Sequence, residues 1–198
     1  MPLYGCKRYV YYRRNNKKYI MSYNILGINP GHNGSACLVS DGELKYYLEE
    51  ERLSRMKYDG NPFKSMIDIM SKYHVDELVI VGTYPDHPTL PWTMEDVYTG
   101  LVRKYYPNVK TTLLGQDHHL THASCAFYNS GFKKAVAVIV DGAGTYKDIN
   151  MNEEGSVKAK GCETESVWTC EYPSKFTVLH KVFGDNTQNR MVNEKFDV

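Results

Sequence analysis

The stretch that most restricts the fold and chemistry of this chain is Gln116–Gly131, QDHHLTHASCAFYNSG, in which three histidines fall within five residues, directly after an aspartate. An Ala/Ser-rich amphipathic run follows, and Asp117 or Thr121 can cap a helix that begins there. On such a helix His118 and His122 stand one turn apart on the same face. Paired imidazoles at that spacing can converge their lone pairs on a divalent metal without backbone strain. Taken alone, such pairs are more often surface or capping histidines, and His119 also lies within a turn of His122. Downstream, the apolar run Ala135–Val140 reads as a buried strand, and Asp141-Gly142-Ala143-Gly144-Thr145 follows it. A carboxylate at a strand end, before a glycine-rich turn, can supply a third ligand and backbone N–H groups for phosphate.

Composition narrows the classes. The chain has 198 residues, 42% hydrophobic and 24% charged, with a net charge of +1, which suits a globular domain with a sizeable core. A balance so near neutrality gives no global attraction to nucleic acid. No apolar run approaches bilayer length. The basic start lacks the apolar segment of a secretory signal. Cys6, Cys37, Cys125, Cys162 and Cys170 are scattered, odd in number and free of C-x-x-C spacing. Reduced thiols in the cytoplasm are therefore expected.

Residues 1–22 read as a basic leader, in which Lys7, Arg8, Arg13, Arg14, Lys17 and Lys18 alternate with Tyr9, Tyr11, Tyr12 and Tyr19. A loose terminal segment is the favoured reading. A nucleic-acid-binding arm over 7–19 is the alternative, with cations on phosphates and tyrosines on bases. Strands are expected at Tyr23–Asn29, Ser35–Ser40 and Glu43–Glu49, joined by the turn Pro30–Gly34 and by the hairpin signal Asp41-Gly42. That meander carries His32 in its first turn, where glycines allow a ligand close to the backbone. Glu50–Arg55 reads as a solvated charged edge, or else as acids and arginines facing a substrate. Helices are expected at Pro62–Tyr73 and Thr93–Tyr106, and strands at Glu77–Gly82 and Val109–Leu114.

The resulting order, β-β-β-α-β-α-β-α-β over 23–145, is α/β. It matches an RNase H-like half-domain of the actin/Hsp70/sugar-kinase superfold, a mixed sheet with three antiparallel strands first. In that superfold nucleotide phosphates lie against the hairpin turns, which singles out Gly31, Asn33, Gly34, Gly142 and Gly144. Residues 146–198 read as the beginning of a second half, with strands expected at 155–162, 166–171 and 176–182 and a polar tail without a strong period.

Four segments, ILGINPGHNGSACLVSDGEL, EEERLSRMKYDGNPF, DHHLTHASCAFYNSGF and AVAVIVDGAG, resemble in order and spacing the carbamoyltransferase family of nodulation and antibiotic-tailoring enzymes (NodU/CmcH type). The catalytic domain of that family is Kae1-like. The resemblance covers Asn24 to about Gly144 and implies a reaction. Carbamoyl phosphate and ATP give carbamoyl adenylate, and the carbamoyl group passes to a hydroxyl acceptor. It also implies a divalent metal beside the nucleotide phosphates, iron first, with zinc or manganese as alternatives. His118, His122 and Asp141 would be ligands, His119 would orient or support them, and His32 would assist transfer at the acceptor. Two positions depart from the family pattern. Asn33 stands where the family has an aspartate, and Thr145 where it has an acid. Family members are also several hundred residues long, and they add a second-half aspartate ligand and a YrdC-like domain that makes the adenylate. The resemblance therefore implies an N-terminal portion, a split subunit or a decayed relative. The competing expectations are a non-catalytic nucleotide- or nucleic-acid-binding remnant and a metal-dependent phosphohydrolase.

Overall fold

Between Asn24 and Asn29 every second residue is buried, the period of a strand with one face on a core. The computed structural model describes residues 10–12, 18–20, 22–31, 33–81, 94–114, 117–150, 158–184 and 191–194. The fold is mixed α/β and divides into two compact units, Met1–Gly115 and Gln116–Val198.

In the first unit a two-stranded antiparallel ribbon, β1 (Val10–Tyr12) and β2 (Lys18–Ile20), precedes a five-stranded mixed sheet. Of the cations and tyrosines read as a nucleic-acid arm, Tyr11, Tyr12, Lys18 and Tyr19 fall in this ribbon, and the others lie outside the described residues. β3 (Asn24–Asn29), β4 (Ser35–Ser40) and β5 (Glu43–Glu49) form the expected antiparallel meander. Two helices follow, α1 (Glu50–Ser54) and α2 (Phe63–Met70), and then β6 (Glu77–Ile80), which pairs parallel with β3. α3 (Met94–Tyr105) leads to β7 (Lys110–Leu113), parallel to β6. The order across the sheet is β5-β4-β3-β6-β7. Leu26, Ile28, Leu38, Met66, Ile69, Leu78, Ile80 and Tyr98 form its buried core.

One expectation fails at the start of α1. Glu50 is no part of a solvated edge; it is 2% exposed. Its carboxylate accepts hydrogen bonds from Lys64 N–H at 3.0 Å, Ser65 N–H at 2.8 Å and Ser65 Oγ–H at 2.8 Å. Pro62, at the N-cap of α2, makes no side-chain capping bond, so Glu50 satisfies the orphan donors from outside the helix. Arg52 behaves as expected: exposed, and paired with Glu49 and Glu51.

Glu77 is buried at the start of the internal strand β6 of the same sheet. It accepts hydrogen bonds from Lys110 Nζ at 2.8 Å, Thr112 Oγ1 at 2.7 Å and Tyr23 Oη at 2.9 Å. Burial alone would push its carboxyl up, but the Lys110 cation and these donors outweigh burial and hold it below the ordinary range. The stabilisation is therefore complete above the unfolded-state pKa of about 4.3 and is lost as pH falls through the lower folded value. In urea titrations between pH 7 and pH 3, the midpoint of the wild type is expected to fall more steeply than that of Glu77→Gln. Parallel profiles would contradict this.

The second unit opens with α4 (His118–Ser130) and continues through β8 (Lys134–Val140), β9 (Tyr146–Asn150), β10 (Lys158–Glu171), β11 (Lys175–Gly184) and β12 (Met191–Glu194). The strands form an antiparallel sheet ordered β12-β11-β10-β8, with β9 also paired to β10. Thus the histidine helix and the Ala135–Val140 strand belong to this second sheet rather than extending the first. The two strands expected over 155–171 are one continuous strand, and the tail contributes a further one. α4 packs over Ala135, Ala137 and Ile139 through Ala123 and Phe127. On the other face Val136, Val138 and Val140 are exposed, so this strand is covered on one side only. Alternation, rather than the continuous apolar composition, describes its environment. Among the described residues no helix is long and apolar enough to cross a membrane.

Candidate metal centre

The site grows out of an irregularity in the second sheet. Val140 pairs with Glu165 and Tyr146 with Cys162, so five residues, Asp141 to Thr145, lie opposite only two, Glu163 and Thr164. The surplus forms a bulge that re-aims side chains at a sheet rim. Its backbone remains bonded: Asp141 N–H to Thr164 O at 2.8 Å, Gly144 N–H to Glu163 O at 2.7 Å, and Glu163 N–H to Thr145 O at 3.0 Å. Beneath it Glu163 is fully buried, ion-paired with Lys181, and accepts from Thr145 N–H at 3.2 Å. Burial would raise the Glu163 carboxyl, but Lys181 outweighs burial and holds it below the ordinary range.

The bulge also caps the histidine helix. Asp117 occupies the N-cap position of α4 without a side-chain bond, and Thr121 Oγ1 donates back to His118 O at 2.7 Å. The capping bond comes instead from the bulge, with His118 N–H donating to Thr145 Oγ1 at 3.3 Å. Thr145 thus holds the helix start against the strand that carries Asp141.

Three side chains meet there. His118 Nε2 lies 2.9 Å from Asp141 Oδ2 and 3.0 Å from His122 Nε2, and His122 Nε2 lies 3.8 Å from Asp141 Oδ2. Metal–ligand bonds of about 2.1 Å place neighbouring ligands roughly 3.0 Å apart in octahedral and 3.4 Å in tetrahedral geometry. The observed triangle brackets both. Proton accounting points the same way. A neutral imidazole nitrogen carries either a hydrogen or a lone pair. One hydrogen on His118 Nε2 can satisfy only one of these two neighbours well; a cation would satisfy all three groups, because each then directs a lone pair at it. Asp141 Oδ1 also accepts from Gly142 N–H at 2.7 Å.

The electrostatics favour a free lone pair on His122 and an ionised Asp141 near neutral pH. Burial would raise the Asp141 carboxyl, but the Gly142 N–H and the neighbouring His118 outweigh it and hold it below its usual range. Burial, reinforced by His118, pushes His122 below the usual imidazole range. His119 adjoins the triad, its Nε2 4.0 Å from Asp141 Oδ2. It is fully buried, its Nδ1 lies 2.8 Å from Ser166 Oγ, and burial pushes its pKa down as well.

The structure thus brings His118, His122 and Asp141 together. His32 lies outside the described residues. The glycines expected at phosphate have intramolecular partners. Gly31 N–H donates to Gly60 O at 2.9 Å and Gly34 N–H to Asp59 O at 2.8 Å, while Gly142 and Gly144 N–H bond to Asp141 and Glu163. A Cβ at Gly34 would stand 2.7 Å from the Gly60 carbonyl carbon, so the close approach there is turn against turn. Asn33, between them, adopts a left-handed backbone with φ 65°. Sequence reasoning missed Thr145, Glu163 and Ser166 as parts of the site. Their partners lie 18 or more residues away, and no local spacing announces them.

No protein-family model matches the chain. Over 124 residues it is 31% identical to an uncharacterized protein of Methanocaldococcus jannaschii, covering 61% of this chain and 22% of that protein. Over 138 residues it is 28% identical to the nodulation protein NolNO of Sinorhizobium fredii, covering 58% of this chain and 20% of the relative. An uncharacterized protein of Synechocystis is 25% identical over 196 residues, covering 81% of this chain and 31% of the relative. The chain spans about a third or less of each of these relatives.

Proposed function

We propose that this chain is the metal-bearing part of a carbamoyltransferase, with a Kae1-like, RNase H-like framework. The observation that carries the reading is the convergence of His118, His122 and Asp141 on one point from a helix start and a strand bulge. Two further facts support it. One is the likeness to a nodulation protein. The other is the β5-β4-β3-β6-β7 order, in which an antiparallel meander is extended by parallel strands, as the superfold reading requires.

In this reading a bound divalent cation, iron first with zinc or manganese as alternatives, supplies Lewis acidity and a template for phosphate oxygens. His118 and His122 hold it as neutral imidazoles and Asp141 as a carboxylate. The bulge that carries Asp141 and caps α4 fixes the spacing of these ligands before substrate arrives, so little ordering cost falls on the reaction. His32 takes the proton of the acceptor hydroxyl as its oxygen bonds to the carbamoyl carbon and AMP leaves. Carbamoyl phosphate and ATP are the substrates, and a YrdC-like domain or subunit makes the adenylate in the cytoplasm.

The test is metal analysis of the purified protein together with carbamoyl transfer from carbamoyl phosphate and ATP, with and without a YrdC-like partner. The expected result is close to one metal per chain and carbamoylated acceptor only when the partner is present. Absence of both metal and transfer under either condition would overturn the reading. Metal-dependent phosphate release without carbamoyl phosphate would replace it with a phosphohydrolase.

A further inference from the structure

One polar atom beside the triad has no partner. Among the described residues His119 Nε2 is buried without a hydrogen bond, 4.0 Å from Asp141 Oδ2. Leaving a buried imidazole nitrogen unpaired is costly, so the position calls for an explanation.

The other ring nitrogen explains which proton is where. Trp168 Nε1–H, which can only donate, bonds to Ser166 Oγ at 2.7 Å, and His119 Nδ1 lies 2.8 Å from the same oxygen. Ser166 is fully buried, and no other acceptor faces its hydroxyl among the hydrogen bonds of the described residues. If His119 Nδ1 carried the proton, the Ser166 hydrogen would be buried and unpaired. Every group on that side is satisfied only when Ser166 Oγ–H donates to Nδ1. The proton of the neutral ring then sits on Nε2, on the side of Asp141. Gly144 closes over this edge. A Cβ there would stand 2.8 Å from both Cδ2 and Nε2 of His119.

We infer that His119 is a positioning residue for the cation site. It presents Nε2–H to the Asp141 carboxylate, and Trp168 and Ser166 set the tautomer that makes this possible. The inference rests on the reading of His118, His122 and Asp141 as ligands. In that state His118 Nε2 gives its lone pair to the cation and no longer donates to Asp141. Of the three imidazoles only His119 then has an N–H to offer the carboxylate. A shift of about 1 Å brings the pair from 4.0 Å within hydrogen-bond range. Partners of this kind orient ligating carboxylates, and their loss typically weakens metal binding about 10–100-fold.

The test is Co(II) affinity by chelator competition, together with the Co(II) visible spectrum, in full-length His119→Leu, His119→Gln and Ser166→Ala. Circular dichroism and melting transitions serve as fold controls. A glutamine places an amide N–H near the position of Nε2–H; a leucine fills the space without a donor. Affinity in His119→Leu is expected to fall about 10–100-fold with altered Co(II) bands, and His119→Gln to stay within about threefold of wild type. Ser166→Ala is expected to weaken binding although the ring remains. If His119→Leu does not fold, the comparison of Ser166→Ala with wild type decides. Unchanged affinity and spectrum in the folded variants, or equal losses in Leu and Gln, would overturn the inference. A wild type that binds no cobalt would instead sink the metal-centre reading beneath it.

Discussion

Changing Asp141 to asparagine is expected to lower divalent-cation affinity by more than about 100-fold, a larger loss than removal of a supporting hydrogen bond produces. The substitution is nearly isosteric, so the bulge can persist. Its backbone bonds to Thr164 and Glu163 involve no Asp141 side-chain atom. What disappears is the one anionic donor of the triad. Two neutral imidazoles 3.0 Å apart remain, and neither offsets the charge of the ion. Chelator competition with Mn(II) or Co(II), alongside a melting curve in chelator, checks this. A variant that melts like the wild type but binds cations equally well would show that Asp141 is no ligand.

The largest effect on stability is expected from Glu50→Ala. Its carboxylate accepts three hydrogen bonds at the start of α2, two from backbone N–H groups that no residue of the helix itself caps. Removing it strands buried donors at about 1–3 kcal/mol each, partly relieved by water entry, so a loss of roughly 3 kcal/mol is expected. Glu50→Gln retains an acceptor oxygen and is expected to recover part of it. Urea denaturation followed by tyrosine fluorescence gives the difference in midpoint. A loss under about 0.5 kcal/mol, the usual range for surface substitutions, would mean that Glu50 is the solvated edge residue its neighbours suggest.

Glu50 also shows why the sequence was legible only in part. Element order in the first unit follows from short-range signals: alternation at Asn24–Asn29, Asp41-Gly42 at the hairpin, Pro62 before α2. The clustering of His118, His122 and Asp141 follows from equally local signals, since a helical turn separates His118 from His122 and a strand end precedes Asp141. Glu50 sits in a run of charges, and only the return of α2, 14 and 15 residues later, makes it a buried cap. Likewise the run Ala135–Val140 has the composition of a strand buried on both faces, yet its assignment to the second sheet depends on pairing with β10, some 30 residues on. The bulge at Asp141–Thr145 is a mismatch of register between two strands, and no local pattern encodes it. Ser166 and Trp168 reach His119 through the same pairing.

The central claim is that His118, His122 and Asp141 share a cation, and anomalous diffraction tests it directly. Crystals grown with Co(II) and measured on either side of the cobalt edge should show one strong peak about 2.0–2.3 Å from both imidazole Nε2 atoms and an Asp141 carboxylate oxygen. A well-ordered site with no peak there, or with the metal bound elsewhere, would contradict the account.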